Sequence, residues 1–454
     1  MNNKNRAISI FTIMGIMLII VGFGQSWNVA LAIFNMCLIS AIMSMGLNIQ
    51  WGYAGLFNAG VMASTAIGGL TAVLVSYSPV MKAWSKGGTK LGIAFIFLLF
   101  TILLSVLVWK KIKKGPVRTW ILAAVLLTGY LLMRIYYDEA TELIEAVDPA
   151  KTGFLGGLGL PIIISWIAGG FAAAGLAWIV GRISLGLRSD YFAIATLGIS
   201  EIMISILKNE DWLSRGVKNV TGLDRPVPYE VELQKKEWFI NLVKRFYISA
   251  DEGGSISSDI FREYLMLSSG VFVKICYSGL FLAVMLIVLF FATRALNSPW
   301  GRMMRAIRDN ETAASAMGKD VTGRHRQVFI IGSAVIGIAG AMLTTLDGQF
   351  TPGSYIPLRF TFLIWVMVII GGSGNNLGAI IGAFITWFVW IEAEPVALWL
   401  VSYFNLLLDE ANPLRLHLQE VAPHMRMVLM GFILVLVLRF RPKGILPENV
   451  PDRY

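Results

Sequence analysis

Apolar stretches long enough to cross a membrane recur along nearly the whole chain. A spanning helix needs about 17 to 25 mostly apolar residues, and about twelve such windows are present. They lie near residues 7–24, 28–47, 53–77, 91–109, 119–137, 158–180, 190–207, 271–293, 328–346, 355–371, 376–394 and 425–440. Helices satisfy their backbone hydrogen bonds within each span. We therefore predict an all-α polytopic membrane protein with about 10 to 12 transmembrane helices, some Gly-broken or re-entrant.

Composition supports this class, because 56% hydrophobic residues and a mean hydropathy of +0.69 do not suit a soluble domain of 454 residues. The first window follows Lys4 and Arg6 as in a signal peptide, but no small-residue cleavage site follows it. We expect it to remain as the first span. Cys37 and Cys276 both lie inside apolar windows, so we interpret them as small hydrophobic residues rather than a disulfide framework.

Basic residues concentrate in four loops that fall on one side of the predicted spans. Positively charged short loops stay in the cytoplasm, so these loops and both termini are predicted to be cytoplasmic. The loops are 110–118, 182–188, 294–326 and 439–443. The acidic loop 138–148 and the long segment 208–270 fall on the opposite side. A loop with Lys82, Lys86 and Lys90 breaks the pattern and suggests a re-entrant segment nearby.

Several function classes are excluded by what the sequence lacks. It has no G-x-x-x-x-G-K-[ST] loop to bind a nucleoside triphosphate and no H-E-x-x-H metal motif. The net charge of +10 lies in short loops between spans, which leaves no basic domain for nucleic acid. We expect no enzyme activity, no metal and no cofactor on this chain. The remaining classes are a transporter driven by an ion gradient and one driven by a partner protein.

Small residues at every fourth position mark three predicted helices. The triplets are Gly60, Ser64 and Gly68; Ser333, Gly337 and Ala341; and Gly374, Gly378 and Gly382. Such faces let helix backbones approach closely inside a membrane, which is one interpretation. In the other, residues 52–55 and 371–376, including Gly372 and Gly374, unwind near mid-membrane and expose backbone groups to a solute.

Polar residues inside predicted spans are costly and therefore informative. Asn48 and Asn58 lie in the N-terminal half, and Glu201 lies in the span 190–207. On a helix Gly198, Glu201 and Ser205 share one small, polar face, which we predict to look inward. Glu201 could bond a neighbouring helix, line a solute path or couple protons. A single carboxylate is too little for a proton relay.

The segment 297–327 is basic and amphipathic and lies between two long apolar windows. Met303, Ile307, Ala314 and Met317 fall roughly on one helical face, while the arginines lie elsewhere. We predict a helix across the cytoplasmic rim. Its stretch from Glu311 to Gly318 looks like a relaxed form of the Glu-Ala-Ala…Gly loop of ABC importer permeases, whose short helix fits a cleft on the ATPase subunit.

Motifs in the same order as in a known family cover about 40–80 and 181–390, with the last span in addition. They are Gly46-Leu47-Asn48 with Gly52-Tyr53-Ala54-Gly55, the stretch 187–202, the stretch 298–318, Gly371-Gly372-Ser373-Gly374, and Arg441-Pro442-Lys443-Gly444-Ile445. The chain resembles the branched-chain amino-acid ABC importer permeases, specifically the LivM-like branch.

This resemblance implies one half of a pore in a bacterial inner membrane, surrounded by lipid. The expected partners are cytoplasmic ABC ATPase subunits that bind the ATP, a LivH-like second permease or a second copy, and an external solute-binding protein. The implied solute is a hydrophobic amino acid, with urea or short amides in related systems. Expected coupling residues are Arg302, Arg305, Arg308, Glu311, Ala314 and Gly318, and expected path residues are Asn48, Asn58, Thr196, Glu201, Gly372 and Gly374.

The sequence departs from the family at three places. Residues 79–150 hold an inserted pair of spans, the usual Thr-Gly-Gly turn is reduced to Thr221-Gly222-Leu223, and the outer segments 208–270 and 391–424 are long. Within 208–270, Trp238, Leu242 and Phe246 share a helical face, as in an interfacial helix, which would pack on the membrane or contact a partner. The alternative function is an ion-coupled secondary carrier or channel, which needs no docking helix.

Overall fold

The fold is a bundle of helices, seen in a computed structural model that describes residues 3–148, 153–248, 258–405, 417–418 and 420–448. Its first helices are α1 (Asn3–Gly24), α2 (Trp27–Ala54), α3 (Val61–Ser76), α4 (Met81–Ala83), α5 (Thr89–Lys111), α6 (Pro116–Glu145), α7 (Ile162–Ser184), α8 (Ser189–Asn209) and α9 (Asp211–Ser214). The later helices are α10 (Glu230–Leu233), α11 (Glu237–Ile248), α12 (Ser258–Asn297), α13 (Pro299–Asp309), α14 (Glu311–Ala316), α15 (Val321–Asp347), α16 (Pro357–Gly371), α17 (Asn376–Asn405) and α18 (Met425–Phe440).

Irregular elements occupy the connections between helices. A π-helix spans Trp84–Gly88, and 3₁₀ turns span Gly216–Lys218, Pro352–Ser354 and Ala422–His424. Two short strands, β1 (Val220–Thr221) and β2 (Gln349–Phe350), pair antiparallel, with Val220 opposite Phe350. This pair ties the segment after α8 to the end of α15.

Each apolar window of the sequence coincides with a helix, which confirms the prediction of a polytopic helical membrane protein. Within the described residues, nine helices are long and apolar enough to cross a membrane. Two shorter apolar helices, α3 and α16, accompany them. Both are short because each adjoins a break in the chain, at 55–60 and at 372–375.

Helix α2 forms the centre of the bundle. In the most apolar window of α2, 72% of the residues are buried, compared with 6% in the window of α6 and 22% in that of α1. Helices α12, α15 and α17 pack around it, and α3 and α7 complete a second layer against α15. Small residues allow the backbones of these helices to approach closely. A Cβ at Gly68 of α3, for example, would collide with the carbonyl of Gly337 in α15. The fourth-position repeats of small residues therefore do support close packing.

The first break lies slightly later in the chain than the sequence predicted. We expected 52–55 to unwind, but α2 continues through Ala54, and only Gly55 adopts a left-handed conformation, with φ of 73°. Gly52 remains helical. Its lack of a side chain serves a close approach instead, because a Cβ there would lie 2.5 Å from the backbone nitrogen of Gly374.

Helices α5 and α6, within the segment 79–150 that the sequence suggests is inserted, form a hairpin beside the bundle. The two helices pack mainly on each other and expose most of their apolar side chains, as lipid-facing helices do. One end is fixed by polar contacts: Trp212 donates to the Tyr137 hydroxyl at 2.7 Å and to Glu210 at 2.8 Å. Tyr137 also donates to Glu210.

The amphipathic helix predicted in the segment 208–270 is present as α11. It buries Phe239 and Val243 and exposes Trp238, Leu242 and Phe246. Its role at a membrane surface or a partner contact stays a prediction. Part of the other long outer segment, 391–424, lies outside the described residues.

Candidate functional site

Helices α13 and α14 form a two-helix segment at one end of the bundle. Ser298 caps α13, because its hydroxyl accepts from the backbone nitrogen of Gly301. One face of α13 buries Met304 and Ile307 in a cluster that includes Tyr53 of α2. By contrast, α14 buries none of its residues. The segment is thus anchored at its first helix and open at its second.

The sequence predicted one helix with Met303, Ile307, Ala314 and Met317 on one face. Met303, Ile307 and Ala314 do pack against one cluster, but the continuous helix and the place of Met317 are wrong. The chain breaks at Asn310, where φ is −158° and the side-chain oxygen accepts from the backbone nitrogen of Ala313 at 2.9 Å. Asn310 is therefore the N-cap of a second helix. Because the helical phase is reset there, Met317 is 80% exposed instead of joining Ile307 in the core.

The six predicted coupling residues fall into two groups. Arg302, Glu311 and Gly318 are exposed on the outer surface of the segment, and Ala314 is half-buried beside them. Gly318 has φ of 74° and ends α14. Arg305 and Arg308 instead turn toward the bundle, where each side chain is 23% exposed. The structure thus brings Arg305 and Arg308 together and separates them from the exposed surface.

The Arg308 side chain packs against three glycines, Gly52, Gly55 and Gly374, in a space that we call the niche. It donates to the carbonyl of Gly52 at the end of α2. A Cβ at Gly55 would lie 3.3 Å from Arg308 Cγ, and one at Gly374 would lie 3.2 Å from Arg308 Nη1. An ion pair of 2.8 Å with Glu448 completes the niche. The two helix breaks therefore meet at a side chain of α13.

The α2–α3 break is held by a buried polar network. Asn58 donates to Gln50 Oε1 at 2.8 Å, and Gln50 donates to Ser333 at 3.0 Å. The Asn58 carbonyl accepts from the Trp365 indole at 3.0 Å. Thr196 of α8 adds a hydroxyl that accepts from the backbone nitrogen of Ala59 at 3.1 Å. These contacts fix the irregular backbone, as buried polar groups require.

The α16–α17 break is held in the same way. The Asn48 side-chain oxygen accepts from the backbone nitrogen of Gly374 at 2.8 Å, and its amide donates to Asn376 at 3.3 Å. Tyr53 also donates to Asn376. Gly372 and Gly374 both have positive φ, 113° and 80°. Asn48 therefore connects α2 directly to the second break.

The face of α8 predicted to look inward is exposed in this chain. Gly198, Glu201 and Ser205 are exposed, while Thr196 and Ser200 on the other side are buried. Thr196 packs inward against the start of α3. Gly60 allows this close approach, because a Cβ there would collide with the Thr196 carbonyl oxygen. In the described part of the chain Glu201 forms no hydrogen bond or ion pair. Its face is left for lipid, water or another subunit.

The residues predicted to line a solute path form two groups in the structure, one buried at the helix breaks and one exposed. Asn48 and Asn58 are 0% and 1% exposed and support the breaks, together with Thr196, Gly372 and Gly374, whereas Glu201 stands apart. Sequence reasoning missed Glu448 and Trp365. A carboxylate a few residues after the last span, and a lone indole inside a span, were the only signals available.

Comparisons with known proteins agree with this architecture. Residues 29–438 match the family described as the branched-chain amino acid transport system permease component. The chain is 23% identical to the probable branched-chain amino acid transport permease protein LivM of Methanocaldococcus jannaschii, over 90% of both chains. It is 26% identical to the high-affinity branched-chain amino acid transport system permease protein LivM of Escherichia coli, over 62% of this chain and 57% of that protein. No solved structure matches it. The chain therefore belongs to the permease family of branched-chain amino acid transport systems, as a LivM-like member and the permease component of an importer.

Proposed function

We propose that this chain is the permease subunit of an ATP-driven importer and forms one half of its pore. The observation that carries the proposal is the segment α13–α14, in which α14 buries none of its residues and α13 contacts both helix breaks. An outside protein that pushes on α14 would move a side chain that contacts α2 and lies against the second break. ATP would be bound by separate ATPase subunits, and this chain would carry out no reaction of its own.

The exposed face of α8 supports a second permease as partner. Glu201 lies within a helix of mean hydropathy 1.5 over its spanning window. A carboxylate facing lipid costs about 2.5 to 3.5 kcal/mol or more, whereas water or a partner subunit removes that cost. Gly198, with no heavy atom within 4 Å of a built Cβ, leaves room for a close neighbour. We propose that this face borders the solute path between two permease subunits.

Orientation and solute follow from the same proposal. The ends of α2, α13 and the residues after α18 meet around Arg308, so they lie on one side of the membrane. We propose that this side is the cytoplasm of a bacterial cell, with both termini on it and a solute-binding protein on the other side. The names of the relatives favour a branched-chain amino acid as solute.

Reconstitution in liposomes tests the proposal. The chain, its partner permease, the ATPase subunits and the binding protein are assembled, and uptake of labelled leucine is measured with and without ATP inside the vesicles. We expect uptake only with ATP and only with every component. Uptake by this chain alone, driven by a proton or sodium gradient, would establish the ion-coupled alternative.

A local variant tests the docking surface itself. Glu311→Trp places a bulky side chain at an exposed position at the start of α14. We expect the ATPase subunits to be lost on purification and uptake to fall at least about tenfold, which corresponds to about 1.4 kcal/mol of lost binding free energy. Val217→Trp is the control, because Val217 is 67% exposed on the opposite segment 208–270. Equal retention of ATPase subunits by both variants would refute the docking assignment.

A further inference from the structure

The residues after the last helix, 441–448, form a strap across the second helix break; we name them the tail segment. The backbone nitrogens of Ile445 and Leu446 donate to the carbonyls of Ile370 and Gly371 at 2.9 and 2.8 Å. The Asn375 side chain donates to the carbonyl of Pro447 at 3.2 Å. Leu446 is 1% exposed. The tail segment is thus fixed to the end of α16 and to the break that precedes α17.

Glycine makes this contact tight. Gly444 has φ of 78°, a conformation that favours glycine, and a Cβ there would collide with the Cα of Gly372. A Cβ at Gly372 would in turn collide with the carbonyl of Leu446. Backbone therefore touches backbone with no side chain between them. A movement of the tail segment would therefore displace the residues of the break, because closely packed atoms cannot be compressed.

The tail segment ends on α13. Glu448 Oε2 lies 2.8 Å from Arg308 Nη1, and Glu448 Oε1 lies 3.8 Å from Arg305 Nη1. Its side chain is only 12% exposed, so solvent screens these pairs less than it screens pairs on an open surface. A Cβ at Gly374 would lie 2.7 Å from Glu448 Oε2. The carboxylate therefore sits between α13 and the second break.

We propose that the tail segment transmits the movement of α13 to the α16–α17 break and that Glu448 is the positioning residue that joins them. This inference rests on the proposed function, since it takes α13 as the helix that the ATPase subunits move. Without Glu448, Arg308 still contacts Gly52 and so still reaches α2. Arg308 would also still lie against Gly374, but its ion pair with the tail segment, and through that segment its connection to the end of α16, would be lost. We therefore expect movement of α13 to reach the α16–α17 break less efficiently.

The test separates transmission from assembly. Glu448→Gln keeps the shape of the side chain and removes its charge, and Lys443→Gln is the control, because Lys443 is an exposed charge on the same segment. Leucine uptake and ATP hydrolysis are measured in the same liposomes that contain the complete importer. For Glu448→Gln we expect ATP hydrolysis to persist and the ATP consumed per leucine to rise at least about fivefold, the lower end of coupling between sites.

Each outcome decides the matter. An unchanged ratio of ATP to leucine, or a parallel loss of both activities together with loss of the ATPase subunits, would overturn the proposal. If Glu448→Gln cannot be purified, Glu448→Asp keeps the charge and withdraws it by one methylene, and it must raise the same ratio. An unsubstituted importer without ATP-dependent uptake would overturn the proposed function, whereas normal uptake with an unaffected Glu448→Gln would overturn the tail segment's role alone.

Discussion

Replacing Asn48 by alanine should loosen the second helix break, and a matched position on the same helix makes the effect measurable. Asn48 and Asn35 both lie on α2, both are 0% exposed, and both bond neighbouring helices through each end of the amide. Only Asn48 contacts a break. Asn35 bonds α12, where it donates to the carbonyl of Lys274 at 3.1 Å and accepts from Ser278 at 2.9 Å.

The expected magnitudes differ because of what each substitution leaves behind. Interhelical hydrogen bonds inside membranes average about 0.6 kcal/mol, so losing both bonds of Asn35 costs about 1 kcal/mol. The Ser278 hydroxyl keeps its bond of 2.8 Å to the carbonyl of Lys274. Asn48→Ala additionally strands the buried backbone nitrogen of Gly374, which costs about 1 to 3 kcal/mol more. We expect about 2 to 4 kcal/mol for Asn48→Ala.

Thermal denaturation in detergent measures the difference. Each variant is heated, and the fraction that remains monodisperse on size exclusion gives its midpoint of unfolding. The drop for Asn48→Ala should be at least about twice the drop for Asn35→Ala, in proportion to the lost free energy. Equal drops, or a larger one for Asn35→Ala, would show that the contact between Asn48 and Gly374 does not hold the break.

Three further predictions address helix packing, the proposed solute path and the α5–α6 hairpin. Gly68→Val should abolish a monodisperse protein because its side chain meets the backbone of α15, whereas Gly175→Val, at a position open to its surroundings, should purify normally. Glu201→Gln should lower leucine uptake while the free energy of unfolding changes by no more than about 0.5 kcal/mol, since the side chain is exposed; loss of stability would contradict this. Tyr137→Phe removes the hydroxyl that bonds Glu210, and should make the α5–α6 hairpin more sensitive to limited proteolysis, with unchanged digestion as the contrary result.

The sequence predicted the helices well and their inward faces less well. Window length alone located every span, because the thickness of a bilayer is a fixed requirement. The face of α8 was assigned inward by its polarity, yet the structure buries Thr196 and exposes Glu201. Polarity shows that a face avoids lipid, but both the interior of one chain and a path between two chains satisfy that condition. Sequence cannot distinguish them.

The single helix expected in the segment 297–327 failed for a related reason. Helical periodicity counts residues without interruption, and one cap residue, Asn310, resets the phase. The N-cap preference of asparagine was visible in the sequence. Whether the cap or the periodicity prevails depends on how Met304 and Ile307 pack against the bundle, which is a tertiary contact.

The sequence by itself determined that this chain is a helical membrane protein, which motifs it shares with permeases, and where a basic amphipathic segment interrupts the spans. Those properties depend on hydropathy and local spacing, which the bilayer and the helix repeat impose. Only the tertiary structure decided that Asn48, Arg308, Gly374 and Glu448 meet at one point. They come from four distant parts of the chain, and their convergence depends on how the helices pack around α2, where glycines permit contacts that no local pattern specifies.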